Sequence, residues 1–410
     1  MWQHTSRRVL ICVGTLALSF GTVAWGQPPQ FTAQRLGTNP IISSQMFVAA
    51  GVADDGRNIN GPSLIRVPDW LTAHQRADPS ANYYLYFADH QGQHIRMAWA
   101  AQVQGPYHLY QPGAGVLSLQ DDRAIKRPVG DGNLLMLSDA LAIGGHIASP
   151  DVHVDNVNRR IVMLFHGFEE SVGDQGKYDF KGPDGQIWSR KEPQMSFAAT
   201  SPTGLDFHDD LKPRTLGDSY LRAFQVGGKW YASGRNRFWG ATDPADITSP
   251  YTVNEGSMSL SARHTAVRVD EDGTVTLFYS RIGGEPEHIV YINIQHIEQR
   301  TSKRIISDPV DLLTPEFDWE GANLPIFESE PGDVNAPVHQ LRDPAFFRDI
   351  DGKEYLLYSV AGEQGVAIAR LHTVPEPTSL VWLGGGLTMI AWRRSRRDSL
   401  RAAFGASPTR

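Results

Sequence analysis

The feature that most restricts the fold of this sequence is a hairpin unit that occurs five times. Each copy begins with a short polar cluster and ends in a strand rich in aromatic residues, as Asn60–Arg66 leading to Tyr83–Phe87 illustrates. The copies begin near positions 60, 149, 219, 262 and 341, which leaves room for four short strands in each. Because a hairpin cannot bury its own apolar face, repeated hairpins must stack on one another. The spacing predicts an all-β fold, a five-bladed β-propeller of residues 27–373.

A β-sandwich built from similar hairpins is the alternative fold. It does not explain why a polar cluster recurs at the head of every unit, whereas in a propeller these clusters all lie beside the central axis. Two polar stretches, 174–192 and 316–338, interrupt the hairpins. We expect both to form loops at the rim of the funnel.

The first 26 residues have the composition of a secretory signal peptide. Arg7 and Arg8 precede the apolar run 9–23, and small residues stand before Gln27, where signal peptidase is expected to cut. Twin arginines also occur in Tat signals, but here they directly adjoin the apolar run, which favours Sec export. The single cysteine, Cys12, lies in this run, so the mature protein has no disulfide and no cysteine-ligated metal.

The C-terminal residues have three parts: a Pro-Glu-Pro motif at 375–377, an apolar stretch at 378–392 and a basic cluster at 393–397. This arrangement resembles the PEP-CTERM sorting signal of bacteria, here residues 374–397, before a disordered tail at 398–410. The resemblance implies transient membrane association, cleavage by an exosortase-type protease, and release to the cell surface or extracellular matrix. The alternative is a permanent tail anchor, although about fifteen apolar residues are fewer than the roughly twenty that span a bilayer.

The charge of the chain limits its partners. The sequence has 38 basic and 45 acidic residues, a net charge of −7. Removing both predicted signals takes away eight arginines and two acidic residues, which leaves 30 basic and 43 acidic residues and a net charge of −13. An exported body this acidic is not suited to binding nucleic acid and fits neutral or cationic material.

In a propeller the innermost strand of each blade begins beside the axis, so the side chains at those positions face whatever the funnel holds. Polar groups there cost free energy unless a ligand or an ion uses them. The residues at the starts of the innermost strands are Asn60, Asp151, Arg222 preceded by Asp218, Arg263 with His264, and Arg342 with Asp343. Further polar residues lie near the ends of the second strands: His90, His166, Arg281 and Glu363. Any one of these residues is explained equally well as a charged loop residue or as a turn cap, but the whole set indicates a binding funnel.

Three of these segments resemble a known family. Ser149–His153, Arg263–Val267 and Arg342–Pro344, each followed by an aromatic strand, are similar to blades of the five-bladed glycoside hydrolases of families 43 and 32, over residues 55–370. The resemblance implies a hydrolase of the furanosidase or xylosidase type that cleaves O-glycosyl bonds of a glycan. In those enzymes a first-blade Asp is the base, a second-blade Asp tunes the acid, a third-blade Glu is the acid, and a fourth-blade His helps to hold a central Ca²⁺.

The correspondence with that family is partial. Asp151 matches the second-blade Asp, and His264 matches the fourth-blade His, so the resemblance implies His264 as a ligand of an axial Ca²⁺, the one cofactor it suggests. The first blade has Asn60-Gly61-Pro62 where an Asp-Pro is expected, and the third has Asp218-Ser219-Tyr220 where the acidic Glu is expected. Two of the family's three carboxylates are therefore missing or displaced.

Propeller geometry suggests replacements. The two carboxylates of an inverting glycosidase lie roughly 6.5 to 9.5 Å apart, so that a water molecule fits between one of them and the sugar. On a five-fold ring of about 5 Å radius, strand starts two blades apart are separated by about 9.5 Å. Asp343 and Asp151 are two blades apart across the ring closure. We predict Asp343 as the base, kept ionised by Arg342, and Asp151 or Asp218 as the acid, its pKa raised by burial, with Asn60 orienting the sugar.

Two other functions fit the same residues. One is a carbohydrate-binding protein that keeps the funnel and has lost the chemistry. The other is a surface or scaffold protein of the extracellular matrix, for which the sorting signal alone is sufficient. The feature that separates them is whether Asp151, Asp343 and a third acidic side chain converge on one pocket.

The two terminal signals generate the first testable prediction. The mature protein should begin near Gln27 and, in cells that contain the sorting protease, should end near Pro377. Mass spectrometry of the exported protein measures both ends. Recovery of an intact 393–410 segment from such cells would contradict the sorting prediction.

Overall fold

The computed structural model describes residues 29–374 apart from 38, 53, 91, 93, 111–132, 137–142, 170–177, 182–186, 191–193, 208–214, 235, 255–257, 259 and 300. The predicted signal peptide and residues 375–410 lie outside the described residues. Within the described ranges, no helix has the length and hydropathy needed to cross a membrane.

The first strand of the described residues belongs to the last blade. The first elements are β1 (Gln30–Arg35), β2 (Ile42–Ser43) and the helix α1 (Ser44–Ala50), which ends at Gly51 in the left-handed conformation. Single turns of 3₁₀-helix occur at Ala73–Gln75, Thr301–Lys303 and Asp318–Glu320. All other regular structure in the described part of the chain is β-strand.

Five antiparallel sheets form the blades. The first blade contains β3 (Asn60–Arg66), β4 (Tyr83–Ala88), β5 (His94–Ala100), β6 (His108–Leu109) and β7 (Asn133–Met136). The second contains β8 (Ile143–Asp155), β9 (Arg160–Glu169), β12 (Gln194–Ser201) and β13 (Gly217–Asp218), with a separate hairpin of β10 (Tyr178–Lys181) and β11 (Ile187–Arg190). The third contains β14 (Arg222–Val226), β15 (Lys229–Gly234), β16 (Arg237–Ala241) and β17 (Tyr251–Val253).

The remaining strands complete the ring. The fourth blade contains β18 (Ala262–Val269), β19 (Val275–Arg281), β20 (Ile289–Gln295), β21 (Ile305–Ile306) and β22 (Val310–Leu313). The fifth contains β23 (Arg342–Arg348), β24 (Glu354–Ser359) and β25 (Gly365–Val374), with β1 and β2 both paired to β25. The innermost strands of adjacent blades contact one another, and between β8 and β14 the Ala223 N–H donates to Asp151. The predicted five-bladed β-propeller is confirmed, and the sandwich alternative is wrong.

The local sequence explains the hairpins. Gly227 and Gly228 connect β14 to β15 with φ of 57° and 75°, and a two-residue turn with positive φ at both positions matches the twist of paired strands. The aromatic strands that follow such turns are buried between blades. The largest cluster packs the first blade on the second and includes Tyr84, Tyr86, Phe165 and Phe197.

The ring closes through β1, which is the outermost strand of the last blade. Its register with β25 runs from Gln30 opposite Val374 to Arg35 opposite Ala369. Phe31 is buried, contacts the rings of Phe278 and Tyr291 edge-on, and its N–H donates to the Tyr291 hydroxyl at 3.2 Å. A strand contributed by the N-terminus therefore joins the two ends of the propeller.

This closure predicts the effect of truncating Phe31. Phe31→Ala should lower the free energy of unfolding by about 3 kcal/mol, because it leaves a cavity between the fourth and fifth blades. Phe327→Ala is the matched control, since Phe327 is 47% exposed and should change stability by less than about 0.5 kcal/mol. Urea unfolding followed by tryptophan fluorescence measures both. Equal effects of the two substitutions would contradict closure through β1.

Candidate functional site

Four of the five innermost strands begin with an irregular pairing that shapes the axis. The register with the second strand shifts between Asn60 and Ser63, between Ala148 and Asp151, between Ala262 and Thr265, and between Arg342 and Ala345. Bulges of this kind re-aim side chains and are common beside functional sites. At the fifth blade the bulge holds Asp343 at a φ of 47°, which is unfavourable for a residue other than glycine. The starts of the first, fourth and fifth blades meet at one end of the axis, where Glu363 contacts Asn60 and Arg342, and His264 lies beside Asp343.

Glu363, in the turn between β24 and β25, is the centre of the network at that end. Its side chain is fully buried. Oε2 accepts hydrogen bonds from the amides of Asn58 and Asn60 at 2.7 and 3.2 Å. Oε1 lies 3.1 Å from Nη1 of Arg342 and 3.5 Å from Nδ1 of His90. The carboxylate thus connects the first blade to the last.

The environment keeps Glu363 ionised. Burial alone raises the pKa of a carboxyl group, but the hydrogen bond and charge of His90, the charge of Arg342 and the Asn58 amide outweigh it and lower the pKa of Glu363 to about 2. In return, Glu363 raises the pKa of His90 against the opposing effect of burial. At neutral pH this position carries a fixed negative charge.

Asp343 lies beside the charge of Glu363, and its pKa is shifted in the opposite direction. The residue is 1% exposed, its Oδ1 lies 3.4 Å from Nδ1 of His264, and that oxygen accepts no hydrogen bond from the described residues. Burial and the neighbouring charge of Glu363 raise the pKa of Asp343 to about 6, although Arg263, His90 and Arg342 oppose the shift. The Asp343 carboxyl therefore loses its proton near pH 6 rather than near pH 4.

Two arginines are held rigidly around this pair. Arg263 binds Glu287 through two hydrogen bonds of 2.8 and 2.9 Å. Arg342 donates to Oε1 of Gln340 at 2.6 and 3.0 Å, and its Nε lies 3.4 Å from Glu287. Both guanidinium groups also donate to the carbonyl oxygen of Gly332. The loop 316–338 is thereby attached to the axis, as a rim loop is expected to be.

Tyr220 places an aromatic ring between two histidines at the same end. Its ring centroid lies 4.2 Å from that of His166 and 4.7 Å from that of His264. Tyr220 has a φ of 65°, and its hydroxyl donates to Gln194 at 3.3 Å. His264 therefore connects the aromatic stack to Asp343.

Asp151 lies farther along the axis and is ionised. Its Oδ2 lies 2.8 Å from Nε2 of His153 and accepts the N–H of Ala223 at 2.7 Å, and Oδ1 lies 3.9 Å from Nη1 of Arg222. Burial alone would raise the pKa of Asp151, but His153, Arg222 and the Ala223 N–H lower it. The pKa shifts of Asp151 and Asp343 are thus the reverse of those expected from the sequence. Arg342 lowers the pKa of Asp343, as expected, but burial and the charge of Glu363 raise it by more.

A cavity of about 450 Å³ opens at the other end of the innermost strands. Asp151, His153 and Arg222 line its inner part, and Arg66 and Arg348 line its mouth. Asp343 is not among the lining residues, so the expected convergence of Asp151 and Asp343 on one cavity is not observed in the described part of the chain. The two carboxyls are linked through Arg222: burial lowers its pKa, and the charges of both Asp151 and Asp343 oppose that shift.

The other predicted site residues are distributed around this arrangement. Asp218 ends β13, the outermost strand of the second blade, and its Oδ1 accepts the N–H of Ser219 at 2.9 Å. Arg281 is exposed at the end of β19. Among the described residues no group of three or more acidic, histidine or cysteine side chains is arranged to hold a metal ion.

Three residues of this hydrogen-bond network are not predicted by the sequence pattern. Asn58, Glu287 and Gln340 contribute buried hydrogen bonds to Glu363 and the two arginines. None belongs to the polar head of a repeat. The alternation of His153 with Asp151 on β8 was a usable signal, because residues two apart on a strand face the same side.

Comparisons with known proteins complete this description. No protein-family model matches the chain. It is 29% identical over 359 residues to an uncharacterized protein of Acanthamoeba polyphaga mimivirus, with 82% of this chain and 89% of the viral protein covered. Among solved structures it is similar to an alpha-L-arabinofuranosidase from Lactobacillus brevis, with a TM-score of 0.45, 11% identity, and 81% and 92% of the two chains covered. It is also similar to a GH43_1 enzyme from Xanthomonas citri, with a TM-score of 0.45, 10% identity, and 82% and 94% covered. With TM-scores below 0.5, these likenesses do not identify the activity of this chain.

The raised pKa of Asp343 predicts how stability depends on pH. A carboxyl with a folded-state pKa of about 6 and an unfolded value near 4 loses stability as pH rises through that window. Asp343→Asn should therefore match the parent protein near pH 4 and exceed its free energy of unfolding by about 1 to 3 kcal/mol at pH 7.5. Urea unfolding at the two pH values measures the difference.

Asp155→Asn is the matched control, because the Asp155 carboxylate pairs with Arg160 at 2.8 Å and its pKa is lowered by the Asn158 and Arg160 bonds in spite of partial burial. That variant should gain nothing at the higher pH. If Asp343→Asn changes the free energy of unfolding equally at both pH values, the pKa of Asp343 does not differ between the folded and unfolded states, and the raised pKa assigned to it is wrong.

Proposed function

We propose that this protein is a glycan-processing propeller that hydrolyses O-glycosyl bonds, with Asp343 as the proton donor and Asp151 as the ionised partner. The observation that carries the proposal is a pair of axial carboxyls near one arginine, Arg222, whose pKa values are shifted in opposite directions: burial and Glu363 raise that of Asp343 to about 6, whereas His153 and Arg222 lower that of Asp151. Glycoside hydrolysis needs one protonated and one ionised carboxyl, and a pair whose pKa values are pushed apart identifies the two roles. The blade motifs that resemble the family 43 and 32 hydrolases support the same class of reaction.

In this reaction the proton of Asp343 goes to the oxygen of the departing sugar as the glycosidic bond breaks. The carboxylate of Asp151 accepts a proton from the water that adds to the anomeric carbon, or attacks that carbon itself before water releases the sugar. Glu363 maintains the acid in its protonated form, since its fixed charge disfavours a second negative charge nearby. Arg222 compensates the charge of Asp151 when Asp343 has lost its proton.

A second function, glycan binding without turnover, is favoured by a different observation. Asp343 is 1% exposed and does not line the axial cavity. If Asp343 never contacts the substrate, its carboxyl affects only the stability of the fold and the electric charge near the axis. In that case the cavity binds a sugar, and Asp151 and Arg222 serve as its polar contacts.

We also propose that the protein is exported. The predicted signal peptide at 1–26 supports removal by signal peptidase, and the sorting signal at 374–397 supports transient membrane association before an exosortase-type protease cuts. Release at the cell surface or in the extracellular matrix would give the protein access to polymeric glycans. Extracellular action is consistent with a chain whose only cysteine lies in the predicted signal peptide.

Activity measurements on aryl furanosides and pyranosides test the proposal. Asp343→Asn and Asp151→Asn should each reduce kcat at least a hundredfold, as expected for loss of a general acid or base. Asp311→Asn is the control, because Asp311 is a surface residue whose partner is His288. If both axial variants keep the parent rate, the assignment is wrong. If the parent binds glycans and never turns them over, the binding function takes its place.

The pH dependence gives an independent test of the roles. The kcat/KM of the parent should fall above about pH 6 as Asp343 loses its proton. Glu363→Gln removes the adjacent negative charge, so the alkaline limb should move to lower pH. A limb that is unmoved by this substitution would show that another group donates the proton.

A further inference from the structure

The carboxylate of Asp151 uses its two oxygen atoms unequally. Oδ2 lies 2.8 Å from Nε2 of His153 and accepts the backbone N–H of Ala223 at 2.7 Å. Oδ1 accepts no hydrogen bond from the described residues, although it is not fully buried, and it lies 3.9 Å from Nη1 of Arg222. Asp151 lines the axial cavity with a side chain that is 14% exposed. Oδ1 is therefore the carboxylate oxygen that a molecule in the cavity can reach.

His153 is held in the cavity wall by two blades. It lies two residues after Asp151 on β8, and residues two apart on a strand face the same side of the sheet. From the third blade, the ring of Trp230 on β15 meets the imidazole edge to face, with centroids 5.5 Å apart and an interplanar angle of 83°. Aromatic pairs favour this edge-to-face arrangement over other orientations. The third blade therefore restrains the orientation of an imidazole that belongs to the second.

The two donors to Oδ2 also come from different blades. His153 is on β8 of the second blade, whereas the Ala223 N–H belongs to β14 of the third. Burial raises the pKa of the Asp151 carboxyl, and among the groups that oppose burial His153 has the largest effect, ahead of Arg222 and the Ala223 N–H. Supporting hydrogen bonds of this kind fix the orientation of a reactive group. His153 thus affects both the orientation and the ionisation of Asp151.

The other ionisable groups around the carboxylate do not replace His153. Arg222 on β14 donates through Nη1 to the carbonyl oxygen of Pro150. Tyr251 on β17 is a buried phenol whose pKa is raised by burial and by the charge of Asp151, so it stays neutral at neutral pH. The remaining charged residues that line the cavity are two arginines, paired with Asp349 and Glu354, and one exposed aspartate: Arg66, Arg348 and Asp69. Among the described residues, His153 is the one ionisable side chain that is hydrogen-bonded to the Asp151 carboxylate.

We infer that His153 is a positioning residue, which holds Oδ2 of Asp151 so that Oδ1 alone is presented to a substrate in the cavity. The inference rests on the proposed hydrolysis, in which Asp151 is the ionised partner. His153 donates its Nε2 hydrogen to the carboxylate and takes no proton from the substrate or from water. Without this donor the carboxylate rotates more freely, and a displacement of about 1 Å at a reacting atom is enough to slow a reaction substantially.

Two substitutions of His153 separate positioning from packing and from proton transfer. His153→Leu fills similar space without a hydrogen-bond donor, whereas His153→Gln keeps an amide donor and cannot accept a proton at neutral pH. On the aryl glycoside that the parent hydrolyses fastest, His153→Leu should lower kcat about ten- to a hundredfold with little change in KM, and His153→Gln should recover most of that loss. His288→Leu is the matched control and should have no effect, because His288 pairs with Asp311 at 2.9 Å on the surface.

Titration of the Asp151 carboxyl by carbon-13 NMR gives a readout that does not depend on turnover. The Asp151 resonance is the one that is absent from Asp151→Asn. In His153→Leu it should titrate about one pH unit higher than in the parent protein, because the substitution removes the group that lowers the Asp151 pKa most. In His288→Leu it should titrate as in the parent.

Three outcomes would overturn the inference. Equal losses of activity in His153→Gln and His153→Leu would show that His153 itself takes the proton. Full activity in His153→Leu would show that the carboxylate needs no positioning. If His153→Leu does not fold, the Asp151 titration in His153→Gln decides, since an unmoved resonance there would contradict control by His153. A parent without turnover contradicts the proposed hydrolase, and the Asp151 titration then decides alone whether His153 controls this carboxylate.

Discussion

The interaction on which the axis depends is the buried contact between Glu363 and its cationic and amide partners. Arg342 comes from the fifth blade, whereas Asn58, Asn60 and His90 come from the first, so one carboxylate joins the two blades at which the ring closes. The N–H of Ile59 also donates to the Glu363 carbonyl at 2.6 Å. A buried charge is tolerated only when it is paired and hydrogen-bonded, and breaking such a pair commonly costs several kcal/mol.

The same interaction determines the chemistry of its neighbour. Once Glu363 is ionised, a second negative charge at Asp343 is unfavourable, and the completely buried Asp343 carboxyl keeps its proton to about pH 6. The bulge that gives Asp343 a φ of 47° fixes the side chain in this position. Strained backbone and an unpaired buried oxygen both reduce stability, and natural proteins retain such features mainly at functional sites.

The sequence is sufficient to predict the repeated hairpins, but it does not predict the environment of each side chain in the folded protein. Turn pairs such as Gly227-Gly228 and the aromatic strands after them predict hairpins, because those signals are local. Closure through β1 was not predicted, since Gln30–Arg35 lies more than 300 residues from its partner β25 and belongs to no repeat. The ionisation of Asp343 was predicted in the wrong direction. Its neighbour in sequence, Arg342, suggested an ion pair, whereas burial and Glu363 dominate only in the folded chain.

The protonation of Asp343 is the central claim of this account, and direct titration of its carboxyl tests it most closely. Carbon-13 NMR of protein labelled at the aspartate side-chain carboxyls follows each group from pH 3 to pH 8. We predict one aspartate resonance that titrates near pH 6, is absent from Asp343→Asn, and moves to lower pH in Glu363→Gln. If no aspartate titrates above about pH 4.5, or if the resonance near pH 6 persists in Asp343→Asn, Asp343 is not the protonated axial acid.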